Sequence, residues 1–380
     1  MQYPDRTGGN DDGLIMCPAT KGWQEYLRFW IVDKYVKEYR AGAMQIDQVA
    51  ADYPRPCYDA NHGHDQYAVW GEGLARMLER ISLEAAALDP DFAIWIEGAS
   101  DALSQFADAD YWTFEGDALP MFRYTFPEVK TACSPSNKTS VHVGAFLEGH
   151  AYAFVCWYGE GKEIREAAGR IRRRVADALY YARFRDDDGL GPLPEGVEAK
   201  VFVNESAGAT AATVADLRAE RTAFRLQLDR SVLPRKPRVG YWYPDPVAAP
   251  RRRLSLVATA RGFSVTVPAA PHGTSRSRDR QPRLGVVVVS EDELRHLNVE
   301  CPGSISKAAT LHIRVASAGK SVGDAKVWVG DDERRVGPDG TLSYRFDARD
   351  PTGVYVLRAR KEGYLSARAI VRVEPKCSGS

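Results

Sequence analysis

Two short apolar runs end in carboxylates: AMQID at residues 43–47 and FAIWIE at residues 92–97. Side chains alternate along a strand, so Ala43, Gln45 and Asp47 share one face and Met44 and Ile46 the other. The second run sets Ala93, Trp95 and Glu97 against Phe92, Ile94 and Ile96. Both runs therefore finish at the same phase, with an acid on the less apolar face. Neighbouring strands lie about 4.8 Å apart. Acids at the tips of adjacent parallel strands thus fall near the ~5–5.5 Å that separates nucleophile from acid/base in retaining glycoside hydrolysis. The chain after Asp47 carries Gln48, Tyr53, Arg55, Tyr58, Asp59, His62 and His64, side chains that can stack on a sugar or hydrogen-bond to it. Trp95 lies on the face of Glu97, and an apolar neighbour disfavours the charged form, which suits Glu97 to donating a proton. Asp47, beside Gln45 and the polar loop, suits the nucleophile.

Other chemistry competes with this reading. Asp47 and Glu97 are each candidates for capping a following helix or pairing with a buried arginine. His62-Gly63-His64 with Asp59 is a possible metal chelate, which would make the chain a metal-dependent hydrolase, but such loops more often bind substrate or their own backbone. Cys57 has no base spaced to it as thiol enzymes require. Asp110, the rival acid, begins the run DYWTFE and so stands at the wrong end of a strand, whereas Glu115 and Asp117 stand at the right end as reserves. Trp112, Phe114, Arg123 and Tyr124 are candidates for sugar subsites, and Trp23 and Trp30 for the core.

The elements that must position these groups alternate. TKGWQEYLRFWIVDKYVKEYR, from Thr20, has Trp23, Tyr26, Leu27, Trp30, Ile31 and Lys34 at helical spacing, with Thr20 as a cap. The strand 43–47, a helix over 67–88, the strand 92–97, a short helix near 100–107 and strands over 110–115 and 120–126 follow. Such alternation is the sign of a parallel sheet covered by helices. A charged helix over 161–185 closes the region, and DDDGLGPLPEG at 186–196 reads as a linker. Beyond it, short strands separated by Pro, Gly and Ser indicate β-sandwiches.

Lysine plus arginine equals aspartate plus glutamate at 51 each, so no global field recruits nucleic acid or anionic membrane. RIRRR at 170–174 and PRRRL at 250–254 read as solvated faces. No run reaches the ~18 apolar residues of a membrane span. The six cysteines show no CxxC or CxH spacing, which argues against a structural zinc site and a dense disulfide framework. No cofactor and no metal are expected on this reading.

MCPATKGW, GAMQIDQVAADYPRPCYDANHGH and DPDFAIWIEGASD together resemble an uncharacterised bacterial family of glycoside-hydrolase-like (β/α) barrels, over roughly residues 14–185. More distantly the chain is similar to endo-α-N-acetylgalactosaminidases and amylase-type barrels, with an aspartate nucleophile on the fourth strand and a glutamate acid/base on the fifth. That resemblance implies Asp47 as nucleophile and Glu97 as acid/base. The last unit, from GDAKVWVG through RAIVRV, resembles transthyretin-like or carboxypeptidase-regulatory-like sandwiches, which implies a spacer or interaction module.

A full (β/α)₈ barrel takes about 250 residues, against some 185 here before the sandwiches. The expected fold is α/β: the C-terminal half of a TIM-type barrel over 1–185, followed by two β-sandwich domains, 197–292 and 300–377, the last Ig-like or transthyretin-like. The expected activity is hydrolysis of an oligo- or polysaccharide by a retaining two-carboxylate mechanism, with a non-catalytic carbohydrate-binding or scaffold protein as the alternative. A carbohydrate is the expected partner, with an upstream segment or a second chain completing the barrel. Trailing sandwiches point outside the cytoplasm, although the N-terminus carries no export signal.

Overall fold

The computed structural model describes residues 16–47, 49, 56–67, 69–98, 100–112, 121–133, 139–152, 162–179, 182–205, 207–220, 222–245, 251–269, 282–293, 295–330, 332–347, 350–361 and 364–375. The chain is mixed α/β with many sheets, and it divides into two compact units, 1–166 and 167–380.

The first unit is built on a five-stranded sheet in chain order: β1 (Ala43–Ile46), β2 (Ala93–Glu97), β3 (Ala109–Trp112), β4 (Lys130–Cys133) and β5 (Ala151–Tyr152). Every neighbouring pair is parallel. Helix α1 (Lys21–Arg28) runs on in wider turns through Phe29–Glu38 and feeds β1, and α2 (Leu74–Leu88) links β1 to β2. Ile31, Val32 and Val36 pack with Leu74, Met77, Leu78, Ile81 and Ala85 onto Ile46, Phe92, Ile94 and Ile96. Each such aliphatic side chain contributes roughly 1.5–3 kcal/mol by leaving water. This core uses the face of β2 that alternation assigned to it, and Ala93, Trp95 and Glu97 are half-buried on the other face.

Several local expectations need correction. Trp30 is 37% exposed and Trp23 only packs against the core's edge. The Thr20 hydroxyl donates to the carbonyl of Cys17 instead of capping the helix. The run at 120–126 is not a strand, because Met121–Thr125 forms helix α3. The Arg123 guanidinium explains the choice: it donates to the carbonyls of Pro127 (2.8 Å) and Val129 (3.1 Å), holding the following turn in place. The fourth and fifth strands lie later, after α3 and after α4 (Thr139–Leu147).

The expected helix over 161–185 is instead α5 (Lys162–Arg174), α6 (Ala176–Leu179) and a strand, β6 (Arg183–Asp186). In the second unit β6 pairs with β7 (Val197–Asn204), which pairs with β8 (Ala209–Asp216). β9 (Phe224–Asp229) belongs to a second sheet, while β10 (Val239–Pro244) and β11 (Arg252–Leu254) return to the first. β12 (Val257–Ala258) and β13 (Gly262–Val267) complete the second sheet, and β14 (Arg283–Ser290) joins the first between β8 and β10. Val201, Val214, Trp242 and Val287 of one sheet meet Leu226, Leu228, Val265 and Val267 of the other in a sandwich-like core. Leu190 and Leu193, in the segment expected as a linker, pack against that core. A further β-rich core from Leu297 to Val373 buries Leu311, Ile313, Val327, Leu357 and Val371.

The basic run at 170–174 is solvated only in part, with Arg173 exposed. Arg172 is 3% exposed, Arg170 pairs with Asp245 at 3.2 Å, and Arg174 lies 5.3 Å over the Tyr243 ring.

Candidate carbohydrate site at the strand tips

β1 and β2 are in register, with Gln45 beside Trp95 and Ile46 beside Ile96. The next residues along the two strands are Asp47, exposed in the turn that ends β1, and Glu97, half-buried at the end of β2. Glu97 in turn pairs in register with Tyr111 of β3. The face turned away from the helices thus presents Gln45, Trp95, Glu97 and Tyr111. The Gln45 Oε1 is buried with no partner among the described residues, an acceptor still open to a donor.

Asp110 pairs with Ile96 and so belongs to the opposite, helix-covered phase. It is fully buried, and its Oδ2 accepts from the Ser104 hydroxyl at 2.6 Å. Burial pushes its carboxyl up to about 6, the Ser104 bond only partly opposing this. An unfolded Asp titrates near ~3.9, so the folded state binds the proton more tightly. The resulting stabilisation is complete below about pH 4 and is lost as pH rises through about 6. Asp110→Asn keeps an acceptor for Ser104 and removes the buried charge. It is expected to melt higher than wild type near pH 8, with the difference shrinking toward pH 4; equal melting temperatures at both ends would refute this account of Asp110.

The loop after β1 is closed by the Cys57 amide donating to the Gln66 carbonyl at 2.9 Å. Within it Tyr58 and Asp59 are exposed, and His62 and His64 are half-buried. Asp59 caps a single turn, Ala60–His62, by accepting from the Asn61 amide at 2.9 Å. That bond holds the Asp59 carboxyl below its ordinary value. Gly63 follows at φ +68, where a side chain would be strained. The turn carries both imidazoles inward: Cys57 Sγ lies 3.2 Å from His62 Nδ1, and Cys17 Sγ lies 3.2 Å from His64 Nε2. Cys17, ahead of α1, is the member that spacing along the chain could not supply.

Of the remaining candidates, Arg123 is 4% exposed and committed to backbone carbonyls, so it is a structural residue. Tyr124 is 43% exposed on α3. Gln48, Tyr53, Arg55, Glu115, Asp117 and Phe114 lie outside the described residues, as does the side chain of Trp112. A cleft of about 430 Å³ is lined by Asp101, Ser104, Asp108, Phe126, Glu128 and Val129. It opens beside the residues that precede β3 and β4, at the opposite end of the strands from the paired acids.

Residues 7–117 match a family described as a domain of unknown function (DUF6259). No curated protein matches the chain. Among solved structures it is similar to the GH36 alpha-galactosidase AgaA from Geobacillus stearothermophilus, at 11% identity and a TM-score of 0.39. The match covers 76% of this chain and 41% of that one, so the chain spans less than half of that enzyme. The alpha-L-arabinofuranosidase from Thermotoga maritima is similar at 10% identity and a TM-score of 0.23, covering 60% of this chain and 68% of that one. Fibronectin(III)-like modules of CbhA from Clostridium thermocellum match at 8% identity and a TM-score of 0.18, covering 41% of this chain and 87% of the modules. The likeness to glycoside hydrolases is thus weak in both identity and geometry.

Proposed function

We propose that the protein is a glycoside hydrolase acting on an oligo- or polysaccharide by a retaining mechanism, with Asp47 as nucleophile and Glu97 as acid/base. The observation that supports this reading is the β1–β2 register, which pairs Ile46 with Ile96, the residues immediately before Asp47 and Glu97. In this reading the five parallel strands are the C-terminal half of a (β/α)₈ barrel. β1 stands at the margin of the sheet among the described residues, an edge that further β/α units from an upstream segment or a second chain would pair and so relieve of its open hydrogen-bonding groups. Asp47 attacks the anomeric carbon as Glu97 protonates the departing oxygen; Glu97 then takes a proton from the water that releases the sugar. Trp95 and Tyr111 give the sugar apolar faces. The sandwich-like units act as spacers or carbohydrate-contacting modules.

The test is a panel of poly- and oligosaccharides scored for both reducing-end release and binding. Hydrolysis with retained anomeric configuration supports the reading. Binding without turnover by the chain, also after co-expression with its upstream coding region, would replace it with a carbohydrate-binding scaffold.

A further inference from the structure

Four potential metal ligands from two separate segments converge in the first unit. The Sγ atoms of Cys17 and Cys57, with one ring nitrogen each of His62 and His64, all lie within 4.8 Å of one another. Zinc bonds of ~2.3 Å to sulfur and ~2.0–2.1 Å to nitrogen at tetrahedral angles put ligand atoms roughly 3.4–3.8 Å apart. The two sulfur–nitrogen distances of 3.2 Å lie just below that range and no pair exceeds 4.8 Å, so a small inward shift closes the set on one ion.

The outward nitrogens strengthen the case. A metal-bound imidazole characteristically donates its other N–H to a carboxylate or carbonyl, which fixes its tautomer and orientation. Here His62 Nε2 lies 3.2 Å from Asp59 Oδ2, and His64 Nδ1 lies 2.9 Å from the Asp65 carbonyl. Both histidines are thereby set to turn an unprotonated nitrogen toward the two sulfurs. Val69 and Ala19 pack around the thiols, and Cys17 and Cys57 are 3% and 4% exposed. The segment bearing Cys17 is held by Gln24 Nε2 donating to the Pro18 carbonyl at 2.8 Å.

We propose that Cys17, Cys57, His62 and His64 form a four-coordinate structural zinc site that clamps the loop after β1 to the chain ahead of α1. On binding, each thiol gives up its proton to solvent and each imidazole binds through a lone pair, so Zn²⁺ with two thiolates is a neutral centre suited to an apolar pocket. Four protein ligands leave no open position, so the ion has a structural and not a catalytic part. It fixes the turn that carries Tyr58 and Asp59. The inference rests on these four side chains and stands whether or not the chain cleaves sugars.

The test is elemental analysis of the full chain, purified without chelator from zinc-supplied cells. About one zinc per chain is expected, falling below ~0.1 in Cys57→Ser and in Cys17→Ser. In case those variants fail to fold, wild-type protein exchanged with Co²⁺ is read by absorption. Intense tetrahedral bands with sulfur-to-cobalt charge transfer support the site, and weak six-coordinate bands refute it. Zinc below ~0.1 per chain in wild type, zinc retained by the folded variants, or a Cys17–Cys57 disulfide in protein prepared without reductant would overturn the proposal. Metal content is measured without any glycan, so its failure and the failure of the sugar-cleaving reading are told apart.

Discussion

Asp47→Asn and Glu97→Gln each lower the turnover of a glycan cleaved by the wild-type chain by about 10²–10⁴-fold, while glycan binding persists. Each change replaces one carboxylate oxygen by an amide nitrogen of the same size, so packing and much of the hydrogen bonding survive. What is lost is chemical. An amide at position 47 is too poor a nucleophile to form the glycosyl ester, and an amide at position 97 has no proton at the right acidity to give. The two roles separate with leaving group. Aryl glycosides whose phenol departs without protonation spare Glu97→Gln most of its loss in the first step and leave Asp47→Asn crippled. Equal losses on good and poor leaving groups for both variants would contradict the assignment of roles, and wild-type turnover in either would contradict the pairing itself.

Gly285→Ala strikes the fold of the second unit. Gly285 lies on β14 between Val214 and Pro244 of its neighbouring strands. A Cβ there would sit 2.1 Å from the indole of Trp242, which is 1% exposed in the centre of the core. The indole has nowhere to go, because Val201, Val214, Val287 and Leu226 belong to the same packed cluster and Arg283 lies 5.2 Å over its ring. Overpacking of this kind costs about 1–3 kcal/mol or more. In a unit of this size that lowers the melting temperature by ~2–4 °C per kcal/mol. Trp242→Leu alone opens a cavity and also destabilises, but combined with Gly285→Ala it makes room for the added methyl. The double variant is therefore expected to lie above the sum of the singles by roughly 1 kcal/mol or more in thermal or urea unfolding. Strict additivity would show that the two residues do not press on each other.

The phase of β2 was legible because bulky Phe92, Ile94 and Ile96 fall on one side of the alternation and Ala93, Trp95 and the single polar residue Glu97 on the other. The run at 121–126 was ambiguous, since Phe122 and Phe126 share a face in a strand and are also neighbours at i, i+4 in a helix, where their rings meet at 5.1 Å. The contacts that decided it come from Arg123, whose carbonyl partners lie beyond the run. β4 and β5 are too short, at four and two residues, to show a period. The Cys17–Cys57–His62–His64 cluster escaped for a different reason. The sequence separation of 47 residues between Cys17 and His64 is closed by the tertiary packing of α1's leading segment on the loop after β1, and no local spacing rule spans it. The residual signal was Cys57 five residues before His62, in a loop already noted for His-Gly-His.

The most direct test of the sugar-cleaving account is the carboxylate separation between Asp47 and Glu97 in a crystal structure of the chain. The account predicts oxygen atoms about 5–5.5 Å apart, both facing one open cleft. Carboxylates on opposite faces of the sheet, or more than ~10 Å apart with each engaged in its own ion pair, would contradict it.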